Sequence, residues 1–132
     1  MLEYDVKVLL AFGETFNGNE ELYAWLLHSD YKELAALSAA IRGSQEAFEW
    51  LMNNGWAHLA ALDSAIDLKP DAYKWLVQNN YTFLATFADA CNHHAAAIAW
   101  LQENNLQIFE ILAIKINGFR DNQTFDYHKI HF

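Results

Sequence analysis

Four dipeptides, Trp25-Leu26, Trp50-Leu51, Trp75-Leu76 and Trp100-Leu101, stand at a constant spacing of 25 residues. A fixed period of this length marks supersecondary units that bury their apolar faces only against copies of themselves. The register extends well beyond the tryptophans. Leu34, Leu59, Leu84 and Phe109 are in phase, as are Leu37, Leu62, Phe87 and Leu112. So are Tyr23, Phe48, Tyr73 and Ile98, and Ile41, Ile66, Cys91 and Ile116.

Within each period the apolar spacing is helical rather than alternating. Residues 2–16 read as a first helix, and 20–28 as the first of an outer series that carries the tryptophans. An inner, alanine-rich series follows at about 31–42, 57–67, 82–92 and 106–117. Asn19 suits an N-cap, and Asp30 with Glu33 suits a capping box for the helix after it. Asn54-Gly55, Asn79-Asn80 and Asn104-Asn105 suit left-handed helix ends, with Tyr31, Trp56, Tyr81 and Leu106 as the apolar residue after each outer helix. Pro70 fits a first helical position. Breaks are expected at Gly43, Lys69-Pro70, His93-His94 and Gly118. Such short turns make neighbouring helices antiparallel. The expectation is an all-α solenoid of helical hairpins, about four and a half repeats, stacked side by side with little long-range contact. The tryptophans are expected to serve packing between repeats rather than to form a recognition ladder.

Composition narrows the function. A net charge of −9, with eight Lys+Arg scattered along the chain, argues against nucleic acid, which needs a basic stripe. The acidity serves solubility or steers a basic partner. No run of residues is long and apolar enough to predict a membrane span. One cysteine, Cys91, leaves no internal disulfide and fits a reducing, cytoplasmic compartment.

The stretch from Gly43 to Gly55 resembles the second helix of an ankyrin repeat, through Glu46, Phe48, Trp50, Leu51, Asn54 and Gly55. Ankyrin units run to about 33 residues, so a 25-residue unit lacks the length of the protruding β-finger. No copy carries the Thr-Pro-Leu-His opening. The resemblance implies protein recognition without catalysis, through the inner helices and adjoining loops, with no finger contacts.

Candidate site residues are those that depart from the repeat. Outward slots of the inner helices hold Lys32, Ala36, Ala39 and Arg42, then Ala57, Ala61, Ser64 and Asp67, then Thr82, Thr86, Asp89 and Asn92. Small residues there either floor a groove for partner side chains or only let helices approach. Arg42, Ser64, Asp67, Thr86, Asp89, Asn92 and His93 are the expected partner-binding set, on the concave face and the loops at 42–44, 67–69 and 92–94. An immunity or antitoxin-like protein, neutralising a basic toxin, is the specific variant. Asp89, Cys91, His93 and His94 are the densest group of metal-competent side chains. Cys91 falls in the Ile41/Ile66 column, which favours a buried thiol over a zinc ligand, and no metal or cofactor is expected. Asp63 and Asp89 fall out of phase for a catalytic pair, and no phosphate loop, nucleophile elbow or His-Glu-x-x-His is present, so an enzyme built around Asp89 and His93 is the lesser alternative. The repeat domain spans 1–118. Residues 119–132 are expected to form a capping tail, irregular or a short strand, with Phe119, Phe125, Tyr127, Ile130 and Phe132 folded over Ile111 and Ile114. The other expectation for that end is a homodimer contact rather than a capped monomer.

Overall fold

The computed structural model describes residues 1–130, with side chains given through Asn122. Those residues form nine α-helices and one short 3-10 turn, and no strand. They are α1 (Val6–Glu14), α2 (Glu20–Leu27), α3 (Lys32–Ile41), α4 (Gln45–Asn53), α5 (Ala57–Ile66), α6 (Pro70–Gln78), α7 (Thr82–Ala90), α8 (Ala95–Glu103) and α9 (Gln107–Ile130). The inner helices α3, α5, α7 and α9 start at 25-residue intervals. Among the described residues no helix is long and apolar enough to cross a membrane.

Turn chemistry sets these lengths. Gly18, Gly43, Leu68 and His93 follow the inner helices and all have positive φ. After each, the next amide bonds back five residues, as Ser44 does to the Ala39 carbonyl, Lys69 to Ser64 and His94 to Asp89. This is a Schellman closure, which satisfies the last carbonyls of the helix. Gly55, Asn80 and Asn105 close the outer helices in the same left-handed conformation. Asn54, Asn79 and Asn104 each add a side-chain bond of 2.8 Å to the carbonyl of Trp50, Trp75 or Trp100. The first outer helix ends differently: the Ser29 hydroxyl donates to the Leu26 carbonyl and accepts from the Tyr31 amide. Asn19 caps α2 through the Leu22 amide, and Pro70 opens α6, as expected. The expected capping box at Asp30 does not form. Tyr31 occupies the cap of α3, and the Glu33 carboxylate instead accepts from the Tyr4 hydroxyl at 2.8 Å.

The core is the set of in-phase columns. Leu34, Leu59 and Leu84, with Phe12, Leu37, Leu62, Phe87 and Leu112, are all buried. Burying each such side chain contributes roughly 1.5–3 kcal/mol. Each outer helix lies between two successive inner helices: α2 on α1 and α3, α4 on α3 and α5, α6 on α5 and α7, α8 on α7 and α9.

One expectation is corrected here. Instead of an open stack with little long-range contact, the two ends of the chain meet. Each inner helix packs on the next, from α1 through α3, α5 and α7 to α9, and α9 packs back on α1. Gly13 lies at this contact: a Cβ there would sit 2.8 Å from the Leu112 Cδ2, so that side chain would have to shift. Lys115 pairs with Glu14 at 3.1 Å, and the Phe119 ring lies 6.1 Å from that of Phe16. The partners lie one hundred or so residues apart yet nearly in phase, so α1 and α9 run parallel. Among the described residues no outer helix covers this seam. Where the covered inner helices carry Ala35, Ala60 and Ala85, α1 carries Leu10, and where they carry Ala40, Ala65 and Ala90, α9 carries Lys115.

The expected break at Gly118 is also absent, although Gly118 is in phase with the left-handed column. The α9 helix runs straight through it to Ile130. A fifth outer helix would place Asp126 in the column of the buried Leu26, Leu51, Leu76 and Leu101, and Phe119 at the cap position of Asn19 and Ser44. Burying an unpaired carboxylate costs far more than the leucine gains. Continuing the helix lets Phe119 meet Phe16. The tail is therefore helical rather than irregular or a strand. Ile111 and Ile114 stay 43% and 62% exposed, and the side chains of Phe125, Tyr127 and Ile130, with all of Phe132, lie outside the described residues.

Leu68 holds a backbone conformation (φ 64°) that costs a side-chain-bearing residue about 1 kcal/mol relative to glycine. Leu68→Gly removes an exposed side chain and leaves the Schellman bonds in place. It should raise the unfolding free energy by about 1 kcal/mol, as in-phase Gly43 already does for its own turn. Urea denaturation of the two proteins measures this; a loss of stability would mean that the Leu68 side chain packs in the folded protein.

Candidate partner-binding surface

The C-terminal ends of α3, α5 and α7 emerge on one side of the ring, and most of the sequence-predicted residues gather there. Arg42, Asp67, Asn92 and Asn117 form one in-phase column, and each is engaged within the chain. The Arg42 guanidinium lies 4.8 Å from the Tyr23 ring centroid, and its Nε donates to the Ser38 hydroxyl. The Asn92 amide donates to the Ile66 carbonyl of the preceding inner helix at 3.1 Å. Asn117 repeats this bond to Ala90 at 3.5 Å. Arg120, carried there by the unbroken α9, donates to Asn92 Oδ1 at 3.1 Å and pairs with Asp67 at 3.7 Å. The column stitches neighbouring inner helices together. Cationic side chains at this end also sit favourably against the carbonyl ends of parallel helices.

Asp63 and Ser64, on the last turns of α5, are buried beside this column. With Ser44, Asp67 and Lys69 they line a cleft of about 250 Å³. Burial, reinforced by the Asp67 charge and opposed by Lys69 and Arg120, raises the Asp63 carboxyl from 3.8 to about 6.

Asp89 stands apart from this column, on the outward face of α7. It accepts from the Tyr73 hydroxyl at 2.8 Å and lies 3.4 Å from His94 Nδ1. The Asp89 carboxylate raises the Tyr73 hydroxyl above its ordinary range, mainly through this bond. Thr86, one turn earlier, donates to the Thr82 carbonyl at 3.1 Å. His93 is exposed in the turn, 3.9 Å from Asp121. Cys91 is buried, and burial pushes its thiol well up. It is thus separated from the exposed histidines, and among the described residues no three of His, Cys, Asp and Glu converge on a metal position.

The open surface lies elsewhere, on the outer layer. Among the described residues no two outer helices pack as closely as each does on its inner neighbours. A ring of inner helices forces helices at larger radius to splay, and grooves open between them. The groove between α2 and α4 encloses about 540 Å³ over α3, with Ala36 and Ala39 as its floor and Tyr23, Leu27, Ala47 and Trp50 among its walls. A smaller one lies between α6 and the turn after α7, lined by Leu68, Pro70, Tyr73, Asp89 and His94. The small outward residues read from sequence thus do floor a groove, but one that opens away from the ring rather than into a concavity.

Of the four in-phase tryptophans, Trp50 lines the α2/α4 groove. Trp25, Trp50, Trp75 and Trp100 are 49%, 36%, 38% and 40% exposed, whereas the leucine after each is fully buried. Leucine anchors each outer helix and the indole stands beside it. The expectation that the tryptophans serve packing between repeats holds in part: Trp100 meets Phe83 of α7, while each indole keeps a third to a half of its surface exposed. Three indoles have defined partners: Trp75 stacked on Tyr81 at 5.8 Å, Trp25 beside Tyr31 at 6.4 Å and Trp100 beside Phe83 of α7 at 6.3 Å. Sequence reasoning placed the columns but missed their exposure; the signal was the leucine at the next position, which already fills the core slot. Comparison with known protein families, with curated proteins and with solved structures finds no match to this chain.

Asp63 is neutral in the unfolded chain only below its ordinary range, near 3.8, but stays protonated up to about 6 when folded. Its contribution to stability is therefore full below about pH 4 and is lost as pH rises through 6. Asp63→Asn should remove that slope and gain on the order of 2 kcal/mol at pH 7.5. Denaturation midpoints of both proteins from pH 4 to 8 check it; parallel curves would show that Asp63 titrates normally.

Proposed function

We propose that this chain is a protein-interaction module, an ankyrin-like array of finger-less helical hairpins whose ends are joined, and that it binds rather than catalyses. The observation that carries the reading is the groove between α2 and α4. It combines a floor of Ala36 and Ala39 with the half-exposed indole of Trp50, which the core does not need. Exposed aromatic side chains beside a small-residue floor supply the anchor-and-pocket arrangement on which partner affinity concentrates. The α2/α4 groove is long enough to take several side chains of one partner segment. The net charge of −9 supports a basic partner, of which a basic toxin surface is one kind. The single buried thiol fits a reducing, cytoplasmic setting.

Filling the groove tests this reading. Ala36→Tyr and Ala39→Tyr project an aromatic ring into space that solvent now occupies, so thermal stability should stay within a few degrees. Partner captured from the native host by the parent protein should be lost by more than tenfold with either variant. Undiminished capture by both folded variants would place binding outside this groove.

A further inference from the structure

We propose that the outer-helix face is a receptor for an arginine-rich segment of the partner, an inference that rests on the protein-interaction reading above. The starting point is the exposed indole column, which the buried leucines make dispensable for folding. A second column accompanies it. Glu21, Glu46 and Asp71 stand four residues before Trp25, Trp50 and Trp75, and all three are exposed. On an α-helix that spacing puts both side chains on one face, one turn apart. First-turn acids also suit the helix dipole, but the dipole places no demand on what stands a turn later.

A carboxylate and an indole face separated by one turn meet the two requirements of a guanidinium. The carboxylate accepts its N–H fork in a bidentate pair, and the ring face attracts the planar cation. In the α2/α4 groove Glu46 and Trp50 share one lining above the methyl floor of Ala36 and Ala39, with Lys32 and His28 on the same lining and the Tyr23 ring already bearing the Arg42 guanidinium at 4.8 Å. An aliphatic arginine stem can lie along that floor while its head reaches Glu46. The stacking of Trp75 on Tyr81, with interplanar angle 10°, fixes the orientation of that half-exposed indole. The pairs recur from α2 to α6, so the matching segment carries several arginines rather than one. The fourth copy departs from the pattern, since Ala96 precedes Trp100. That copy is an internal control: an indole on the same face with no carboxylate one turn before it.

The test uses the full chain and a synthetic peptide of about twenty residues with arginine at every third position in a serine background. Its lysine counterpart has equal charge. Binding is read by indole fluorescence and calorimetry at physiological salt, where bulk attraction is screened. The arginine peptide should bind at least fivefold tighter than the lysine peptide. Trp50→Leu and Glu46→Gln should each weaken it about tenfold, and Trp100→Leu should change it less than twofold, with circular dichroism confirming that each variant is folded. Equal affinity for the two peptides, equal loss from Trp100→Leu and Trp50→Leu, or no binding at all would each overturn the proposal. The groove-filling variants separate this failure from that of the wider reading. If Ala36→Tyr still releases the native partner while the arginine peptide does not bind, the interaction surface stands and its arginine specificity falls.

Discussion

The packing of α9 on α1 is the contact on which the rest of the molecule depends. A hairpin array that ends in the open leaves an apolar face at each terminus, and such arrays normally need polar capping units. Here the two terminal faces cover each other. Gly13 removes the one Cβ that would collide with Leu112, Glu14 and Lys115 pair across the seam, and Phe16 meets Phe119. Leu10 and Lys115 add bulk where no outer helix reaches. Arg120 then ties α9 to the ends of α5 and α7 through Asp67 and Asn92.

Closure has a geometric consequence for function. With the five inner helices α1, α3, α5, α7 and α9 in a ring, their inward faces are core. The outer helices stand at a larger radius and separate, and the grooves between them expose the outward faces of the inner row. Each outer helix is held by its leucine, so its tryptophan is free to face outward. The polar end has the opposite character. Asp67, Asn92 and Asn117 point their hydrogen-bonding groups at neighbouring inner helices and hold the ring, whereas Arg42 bonds within α3 and covers Tyr23 of α2.

Local structure was almost fully legible in the sequence. The period located the helices to within a few residues, because a column of leucines one turn apart has few other uses. Left-handed ends at Gly55, Asn80 and Asn105 followed from residue type. What failed was information carried by distant contacts. Gly118 sits in the left-handed column, and only the cost of burying Asp126 explains why the helix continues. Tyr4 took Glu33 away from the cap that its spacing suggested. The ring itself left marks in the sequence, Gly13 in α1 and Leu10 and Lys115 in place of alanine, but these read as noise until the two ends are known to touch. The acidic, small-residue groove read from the inner helices divides in the structure: Ala36 and Ala39 floor an open groove, whereas Asp67 belongs to the stitching column.

Hydrogen exchange resolves the central claim most directly, because a ring and an open array differ in where they fray. In an open array protection is highest in the middle and falls toward both ends. With the ends joined, amides of Leu9, Phe12 and Gly13 in α1, and of Leu112 and Ile116 in α9, should exchange only through global unfolding. Their opening free energies should equal those of Leu62 and Ile66 in α5 within about 1 kcal/mol. Protection that declines steadily from α5 toward α1 and α9 would contradict the account, since it would show that the two ends open independently.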